Sequence, residues 1–369
     1  KKHANVHVIM TENACNFINP ITFETLTGNK CLVDTFDRNF QFNVEHVSLA
    51  KLADIFLVAP ASADVIGKIA NGIADDMLTT TIMACKCPKL ISPAMNTNMF
   101  TNPIVQDNLK KLEHYGYEII QPDSGYLACG DTGAGKMPSE QVLLNYILRT
   151  IAKDKDMTGI KLTVTAGPTR EKLDPVRFLS NNSTGKMGYA IAKMAMLRGA
   201  DVTLISGKVS LEPVPFVKIV DIVSAEDMYN AVIKSAKDAD IIIKAAAVAD
   251  YRPSYVSEEK IKKKDGDMSI PLERTKDIIG TLGSSKRDGL FLCGFSMETE
   301  HLLDNSKVKL TKKNLDMIVA NNVKVAGAGF GTDTNVVTVI TKDAVEELPM
   351  MSKEEVADAL LDRIMKARQ

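Results

Sequence analysis

The sequence predicts an α/β fold with two doubly wound, mostly parallel sheets. Short apolar runs such as residues 54–59 and 240–243 alternate with stretches in which apolar residues recur every three or four positions. Strands that alternate with helices in this way form parallel sheets covered on both faces. The 369 residues exceed what one hydrophobic core usually holds, and the charged stretch 152–156 separates two such series. We therefore expect two domains, residues 1–152 and 157–369.

The charge balance and the cysteines exclude several classes of protein. Lys and Arg number 45 and Asp and Glu number 46, and this formal net charge of −1 argues against a protein that coats nucleic acid. No apolar run approaches the roughly 18 residues that a membrane helix needs. The six cysteines lack the paired spacing of a zinc site or a disulfide framework. These features predict a cytoplasmic protein without nucleic-acid or membrane partners.

In the first half of the chain, strands are predicted at residues 6–10, 54–59, 88–93 and 117–120. A helix is predicted to begin at Thr11, with Phe17 and Ile18 packed inward, and others to cover residues 65–71, 78–83, 108–115 and 139–151. Since the chain enters a strand almost at once, we expect the first strand and helix of this α/β domain to be absent. The glycines at positions 130, 133 and 135 predict an irregular, mobile loop over residues 127–137.

Three side chains suited to chemistry follow separate apolar runs in this half: His46, Asn96 and Cys129. The carboxyl ends of parallel strands meet at one edge of a sheet, so the three loops are expected to converge. A single His is more often structural than catalytic, and a single Cys is usually a small buried apolar group. Cys129 differs because the neighbouring glycines leave it accessible to a ligand.

In the second half, strands are predicted at residues 160–164, 201–205, 217–222, 240–243, 290–295, 316–321 and 336–340. Between Ala166 and Gly188 a polar loop precedes a helical pattern, and strand, loop and helix N-terminus together can hold a phosphate. Lys186 would add a positive charge. The loop is neither G-x-G-x-x-G nor G-x-x-x-x-G-K-[ST]. A purely structural connection therefore remains the alternative.

Lysines at loop ends form a second pattern. Lys260 and Lys262 lie in a basic turn, and Lys309 and Lys313 are four apart on one predicted helix face. Any one of them, taken singly, is more often a solvated surface charge than a ligand contact. The small residues 245–249 would let the backbone approach a ligand closely, and Asp250 can accept hydrogen bonds from a base or a ribose.

The blocks TAGPTRE (165–171), DPVRFLSN (174–181) and STGKMG (183–188) resemble the phosphopantothenate–cysteine ligase family. The resemblance implies a Rossmann-like domain in which CTP activates a carboxylate as an acyl-cytidylate before a cysteine amine displaces CMP. Magnesium would bridge the phosphates without a metal site on the protein. Pro168 stands where the family usually has Gly, and Ser296 and Met297 where it often has two alanines. The implied catalytic residues are Asn181 and Lys260, and the implied nucleotide-binding residues are Lys244, Ala245, Ala246, Asp250, Lys260, Lys276, Asp277, Ile278, Ile279, Phe295, Lys309 and Lys313.

The blocks PASA (60–63), PAMNTNM (93–99) and ACGDTGAGKM (128–137) resemble the flavin-dependent cysteine decarboxylases, specifically phosphopantothenoylcysteine decarboxylase. The resemblance implies a flavodoxin-like domain that binds FMN. His46 would be the acid–base group of the oxidative half and Cys129 the proton donor of the reductive half. Asp64 replaces the usual Asn, and Lys136 the usual Arg, so the bidentate anion contact of Arg is lost. The implied substrate-binding residues are Asn96, Met99 and Lys136, and the implied cofactor-binding residues are Thr11, Ser62 and Ala63.

Together the resemblances imply a bifunctional enzyme of coenzyme A biosynthesis. It would join cysteine to 4′-phosphopantothenate and then decarboxylate the product to 4′-phosphopantetheine. They also imply a homo-oligomer with decarboxylase trimers and ligase dimers. A nicotinamide-dependent oxidoreductase is the rival enzyme, and the missing G-x-G-x-x-G argues against it. A catalytically silent flavoprotein that regulates a partner is a further rival, and the presence of His46 and Cys129 argues against that.

Overall fold

The computed structural model describes residues 4–37, 44–126, 130, 132–263, 268–298, 302–322, 329 and 331–368. The chain divides into two compact units, Lys1–Ala152 and Lys153–Gln369. Each unit contains a parallel sheet with helices, so the predicted α/β fold with mostly parallel sheets is confirmed. Within the described ranges, no helix is long and apolar enough to cross a membrane.

The first unit is built on a three-stranded parallel sheet of order β1-β2-β3. A two-stranded antiparallel hairpin, β4–β5, is separate from it. The strands are β1 (Phe56–Ala61), β2 (Lys89–Pro93), β3 (Glu118–Ile119), β4 (Asp123–Tyr126) and β5 (Thr132–Lys136). The helices are α1 (Pro20–Thr27), α2 (Glu45–Leu52), α3 (Ala63–Ala70), α4 (Met77–Ala84), α5 (Thr97–Phe100), α6 (Pro103–His114) and α7 (Glu140–Ile151).

The core of the first unit lies between the sheet and α3, α4 and α6. Ile66, Ile82 and Leu112 are almost completely buried there against Val58 and Ile91 of the two longer strands. The apolar residues of α3 recur at spacings of three and four, so one face of this helix enters the core. The packing places the ends of β1 and β2, and the loops that follow them, at one edge of the sheet.

Three predictions for the start of the chain are wrong. Phe17 is 91% exposed instead of packed inward, and a single 3-10 turn, Ala14–Asn16, replaces the helix expected from Thr11. The regular helix α1 begins only after Asn19, whose side chain caps it, with Pro20 in its first turn. Within residues 6–10, only an isolated bridge between Ile9 and Leu32 forms in place of a strand.

The irregular loop predicted for residues 127–137 is also wrong where the structure describes it. Thr132–Lys136 is a strand paired with β4. Its glycines serve a close contact: Gly135 has φ +139°, and a Cβ there would lie 2.1 Å from the Met95 carbonyl oxygen. The Met95 N–H donates to the Gly135 carbonyl at 3.0 Å. The hairpin is therefore seated on the turn after β2.

Among its described residues, the second unit contains an eight-stranded sheet and three separate two-stranded sheets, β7–β8, β12–β13 and β16–β19. Its strands are β6 (Lys161–Ala166), β7 (Arg170–Lys172), β8 (Phe178–Ser180), β9 (Asp201–Ser206), β10 (Lys218–Asp221), β11 (Ile241–Lys244), β12 (Tyr251–Pro253), β13 (Leu272–Arg274), β14 (Phe291–Glu298), β15 (Met317–Asn322), β16 (Thr334–Asn335), β17 (Val337–Thr341), β18 (Val345–Glu347) and β19 (Met351–Ser352). Its helices are α8 (Lys186–Leu197), α9 (Ala225–Ser235), α10 (Ile278–Ser284), α11 (Leu302–Lys312) and α12 (Lys353–Ala367).

The main sheet runs in the order β10-β9-β6-β11-β14-β15-β17-β18. The first six of these strands are parallel, and β17 and β18 are antiparallel additions. When the six parallel strands are numbered in chain order, their order across the sheet is 3-2-1-4-5-6, which is the Rossmann arrangement. The strand order reverses between β6 and β11, where Lys244 is in register with Thr165. Ligands of such sheets bind outside the carboxyl ends of the strands at this point.

Arg198 fastens the start of the second unit to its last helix. The side chain is 6% exposed and is bonded to the carboxylates of Asp156 and Asp362 at 2.5 and 2.7 Å. Asp358 lies at 3.4 Å. Burial alone would lower the pKa of Arg198, but the bonds to these carboxylates raise it overall, so the guanidinium stays charged. Removing this cation would leave three acidic groups facing one another.

We therefore expect Arg198→Met to lower the free energy of unfolding of the second unit by about 2 kcal/mol, since the carboxylates are only partly buried. Urea unfolding followed by circular dichroism measures the change. The control is Arg363→Met, because Arg363 pairs with an exposed glutamate, Glu346, and should lose less than about 1 kcal/mol. Equal losses in the two variants would contradict the fastening role.

Candidate functional site

Two loops meet where the strand order of the second unit reverses. One follows β6 and contains Gly167, Pro168 and Thr169, and the other follows β11 and contains Ala247 and Ala249. The Ala247 N–H donates to the Gly167 carbonyl at 3.0 Å, and the Thr169 N–H donates to the Ala247 carbonyl at 3.2 Å. The Ala249 N–H donates to the Thr169 hydroxyl at 3.0 Å. These bonds extend the parallel ladder into a fixed platform at the ligand-binding edge.

Asn181 lies against this platform. Its Nδ2 donates to the Ala247 carbonyl at 3.1 Å, and the preceding Ser180 hydroxyl donates to the Thr169 carbonyl at 2.8 Å. Asn181 is itself exposed. Its amide oxygen and second N–H can therefore contact a ligand while the first N–H holds the side chain in place.

Three lysines converge beside the platform. Lys313 Nζ lies 2.9 Å from Asp277 Oδ2, and Lys309 Nζ donates to the Ser296 hydroxyl at 3.4 Å. Lys244, at the end of β11, is half-buried. Burial lowers the pKa of Lys244, and the ammonium group of Lys313 lowers it further, against the opposing charge of Asp277. This concentration of positive charge suits a polyphosphate.

Asp277 joins this cluster to the start of α10, which it caps. Burial alone would raise the pKa of Asp277, but hydrogen bonds from Lys313 and from the Gly280 N–H lower it overall. Ile278 and Ile279 follow, and their side chains are 2% and 7% exposed in the core. Only their backbone N–H groups, in the first turn of α10, are left to face a ligand.

Two of the other predicted lysines are placed differently. Lys276 Nζ lies 3.3 Å from Glu226 Oε1 and 4.9 Å from the centroid of the Tyr229 ring, and Lys260 is exposed. Lys186 begins α8, and its ammonium group binds the Asp333 carboxylate at 2.7 Å. A phosphate at this helix end would compete with Asp333. Of the remaining predicted nucleotide contacts, Phe295 lies in β14. The others follow the end of β11 and are Ala245, Ala246 and Asp250.

In the first unit, Asn96 caps α5, and its Oδ1 accepts from the Asn98 N–H at 2.8 Å. The β4–β5 hairpin covers this turn so closely that a Cβ at Gly133 would lie 2.5 Å from Thr97 Oγ1. Lys136, the exposed last residue of β5, is carried to the same turn. The turn itself carries Met99, which is 49% exposed. The structure thus brings the three predicted substrate-binding residues into one region.

The predicted flavin contacts lie at the ends of β1 and of the bridge at Ile9. The Ser62 hydroxyl accepts from the Val65 N–H at 3.3 Å, and the Thr11 hydroxyl accepts from the Ala14 N–H at 3.2 Å. Because both oxygens accept in these bonds, both O–H groups can donate. The first N–H groups of α3 have no partner within the helix and suit a phosphate. These donors, with the small side chain of Ala63, fit FMN.

His46 is half-buried in the first turn of α2, which packs against α4. Cys129 lies outside the residues that the structure describes. The expected convergence of His46, Asn96 and Cys129 at one edge therefore stays a prediction. Among the described residues, no three His, Cys, Asp or Glu side chains lie close enough to hold a metal ion.

Sequence reasoning missed two polar groups near these sites. Thr97 Oγ1 is buried and has no hydrogen-bond partner within the described part of the chain, and no pattern pointed to it. Asp174 is 2% exposed and holds the loop that leads to Asn181. Its signal was available, because Asp followed by Pro175 favours the start of a turn.

Comparison with known proteins places both units. The flavoprotein family matches residues 1–152, and the family described as the DNA/pantothenate metabolism flavoprotein C-terminal domain matches residues 157–367. A Bacillus subtilis relative named coenzyme A biosynthesis bifunctional protein CoaBC is 47% identical over 365 residues, which cover 98% of this chain and 90% of the relative. The chain belongs to the family of coenzyme A biosynthesis bifunctional proteins.

Two further similar proteins are a solved structure that matches the second unit and a relative with a different name. A crystal structure of the C-terminal domain of a CoaBC bifunctional protein shares 45% identity and a TM-score of 0.50, covering 58% of this chain and 97% of that one. A relative named cysteine/cysteine sulfinic acid decarboxylase, from an unknown prokaryotic organism, is 42% identical over 354 residues. The match covers 94% of this chain and 99% of that relative. Relatives that match nearly the whole chain are thus named for more than one activity.

Proposed function

We propose that the second unit joins 4′-phosphopantothenate to cysteine at the expense of CTP, and that the first unit decarboxylates the product to 4′-phosphopantetheine with FMN. The observation that carries the proposal is the position of Asn181, bonded to the Ala247 carbonyl beside the cluster of Lys244, Lys309 and Lys313. It combines an amide with several cations at the strand-order reversal. Membership in the coenzyme A family supports both halves of the proposal.

The ligase reaction requires a carboxylate to be activated before an amine can attack it. The carboxylate oxygen forms a bond to the α-phosphorus of CTP, and pyrophosphate leaves. Lys244, Lys309 and Lys313 offset the charge of the triphosphate, and magnesium bound with CTP would add further positive charge there. Asn181 and Lys260 donate to the developing charge at the α-phosphate. The cysteine nitrogen then bonds to the acyl carbon, loses a proton, and CMP leaves.

The decarboxylation places different demands on the first unit. FMN, when bound, supplies the two-electron oxidation and the later return of both electrons that make loss of carbon dioxide possible. The Asn96 amide orients the substrate carboxylate, and Lys136 offsets a substrate charge. His46 takes up and returns the thiol proton. The β4–β5 hairpin excludes water, and Cys129 donates the final proton.

Both activities can be tested in one assay series. The protein is incubated with FMN, magnesium, CTP, cysteine and 4′-phosphopantothenate, and pyrophosphate, CMP and carbon dioxide are measured. Omitting CTP should abolish pyrophosphate release but leave carbon dioxide release from pre-formed phosphopantothenoylcysteine. Absence of pyrophosphate from the complete mixture would refute the ligase half. Absence of carbon dioxide from the pre-formed substrate would refute the decarboxylase half.

A second candidate function is decarboxylation of free cysteine or cysteine sulfinic acid, favoured by the relative that bears this name. It requires neither CTP nor phosphopantothenate. Carbon dioxide release from cysteine alone, without pyrophosphate release in the complete mixture, would favour this alternative. The lysine cluster of the second unit would then have no use in the reaction, which is why we prefer the bifunctional assignment.

We expect CTP binding to be accompanied by proton uptake through Lys244. Burial and the neighbouring Lys313 lower the pKa of Lys244 from its ordinary 10.5. At a pH between the lowered pKa and 10.5, the Lys244 amine is therefore mostly neutral, whereas an ordinary lysine is mostly protonated. A bound triphosphate would raise that pKa again, and the amine would take up a proton. Calorimetry in buffers of different ionisation enthalpy measures the uptake. Uptake that persists in Lys244→Met would contradict the assignment to Lys244.

We propose a homo-oligomer with decarboxylase trimers and ligase dimers, which light scattering of the whole chain and of each unit would test. We propose a cytoplasmic location because the cysteines that the structure describes, Cys15, Cys31, Cys85, Cys87 and Cys293, are free thiols.

A further inference from the structure

Asp174 is a buried carboxylate to which the reaction scheme assigns no role. The residue is 2% exposed, and its carboxylate accepts hydrogen bonds from two segments of the second unit. The Val176 and Arg177 N–H groups donate to Oδ1 at 2.8 and 2.7 Å. Arg177 Nε and Nη2 donate to Oδ2 at 2.9 and 2.6 Å, and the Ile261 N–H donates to Oδ2 at 3.2 Å. The first four donors are local, and the fifth comes from a distant part of the chain.

The distant donor belongs to the turn that carries Lys260. Residues 257–261 are fastened to residues 173–177 at both ends. The Ser257 N–H donates to the Leu173 carbonyl at 3.0 Å, and Arg177 Nη2 donates to the Ile261 carbonyl at 2.6 Å. Lys260 immediately precedes the second fastening, and its own side chain is exposed. The backbone of Lys260 is therefore fixed while its ammonium group remains open to a ligand.

The charge of Asp174 makes this fastening strong. Burial alone would raise the pKa of Asp174, but the hydrogen bonds from Arg177 and from the backbone N–H groups lower it overall, so the group stays ionised at neutral pH. An ionised carboxylate forms stronger hydrogen bonds than a neutral amide would. The residue can thus hold the guanidinium and three backbone donors together.

The same turn also leads to Asn181. From Arg177 the chain enters β8 and reaches Asn181, which donates to the Ala247 carbonyl. We propose that Asp174 is a positioning residue for the ligase reaction, which holds the turn bearing Lys260 at a set distance from Asn181. The inference rests on the proposed function, in which both residues act on the α-phosphate of CTP. Arg177 takes part as the link to the Ile261 carbonyl.

The expected effect is on the catalytic step. A misplacement of about 1 Å in a catalytic group can reduce a rate by about 100-fold. The contact of Lys260 with the α-phosphate strengthens as charge develops there, so its displacement affects the transition state more than the ground-state binding of CTP. Asp174→Asn keeps the shape of the side chain but removes its charge. We expect kcat for pyrophosphate release to fall by about 10- to 100-fold, with KM for CTP changed by less than about threefold.

Glu171→Gln is the matched control. Glu171 is also a buried carboxylate, 4% exposed, and it accepts a backbone hydrogen bond from the Ala225 N–H at 2.9 Å. It has the same kind of structural role as Asp174 without a bond to the Lys260 turn. Glu171→Gln should therefore leave kcat within about threefold of the starting protein. An equal fall in kcat for both variants would reduce Asp174 to a structural role and overturn the proposal.

A double-mutant cycle tests whether Asp174 acts through Lys260. The kcat of Asp174→Asn combined with Lys260→Gln should equal that of Lys260→Gln alone, because the positioned group is already gone. Multiplied losses in the double variant would overturn the proposal. If the starting protein releases no pyrophosphate, the proposed function itself has failed. If it does and Lys260→Gln is fully active, only the inference has failed.

A second variant protects the test against misfolding of Asp174→Asn. The Arg177 side chain is itself 42% exposed, so Arg177→Gln replaces no buried residue while it removes the link to the Ile261 carbonyl and the two guanidinium bonds to Asp174. We expect it to reduce kcat in the same direction. Trypsin cleavage after Lys260 or Lys262 should be faster in Arg177→Gln and Asp174→Asn than in Glu171→Gln. Equal cleavage and unchanged kcat in Arg177→Gln would overturn the proposal.

Discussion

Asn181→Asp is expected to reduce CTP-dependent pyrophosphate release by at least about 100-fold, the scale of losing a positioned donor to a developing negative charge. The Asn181 Nδ2 donates to the Ala247 carbonyl at 3.1 Å. A carboxylate cannot donate, so two oxygens would face each other there and repel. The new negative charge would also lie beside the phosphates that the three lysines attract. Pyrophosphate release under single-turnover conditions measures the loss.

The other unit provides an internal reference for this variant. Carbon dioxide release from pre-formed phosphopantothenoylcysteine should continue in Asn181→Asp, because the first unit supplies that chemistry. Asn230→Asp makes the same change in charge at an exposed position of α9 and should retain pyrophosphate release. Loss of carbon dioxide release in Asn181→Asp, or an equal loss of pyrophosphate release in Asn230→Asp, would contradict the role given to Asn181.

Gly135→Ala should reduce decarboxylation by about 100-fold or more, since catalytic groups that are displaced by about 1 Å lose that much. A Cβ at this position would lie 2.1 Å from the Met95 carbonyl oxygen, and the φ of +139° is one that side chains rarely adopt. The β4–β5 hairpin would therefore lift away from the Asn96 turn and carry Lys136 with it. Carbon dioxide release from pre-formed substrate measures the effect.

Gly125→Ala is the control for this prediction. Gly125 lies in β4 of the same hairpin and pairs with Gly133 across it, but a Cβ there meets nothing within 4 Å. This variant should decarboxylate at close to the starting rate, and both variants should keep pyrophosphate release. A similar loss of carbon dioxide release in both would mean that the hairpin is merely sensitive to added bulk, and the contact with Met95 would have no special part.

Local patterns predicted much of the fold because they depend on neighbours in the chain. The apolar spacing of Val65, Ile66 and Ile69 predicted α3, and the apolar run 240–243 predicted β11, since one buried face determines each element. The glycine-containing stretch up to Lys136 was misjudged. Glycine permits an irregular loop and a close contact equally well. Only the Met95 carbonyl, forty positions before Gly135, decides between them.

The candidate sites divide in the same way. Asn181 and the lysines were identified from residue types and resemblance, while their partners, the Ala247 carbonyl and Asp277, came only from the structure. Lys276, predicted to contact the nucleotide, forms an ion pair with Glu226. Ile278 and Ile279 lie in a core that no local pattern could separate from a binding surface.

By itself, the sequence determined that this protein has two α/β halves, which residue types each half could use, and which family pattern they follow. These properties are carried by spacing and composition along the chain. The tertiary structure alone decided that the hairpin is seated on the Asn96 turn and that Asp174 ties the Lys260 turn to the segment leading to Asn181. Such contacts join residues that are distant in the chain, and they form only when the sheet brings separate loops to one edge.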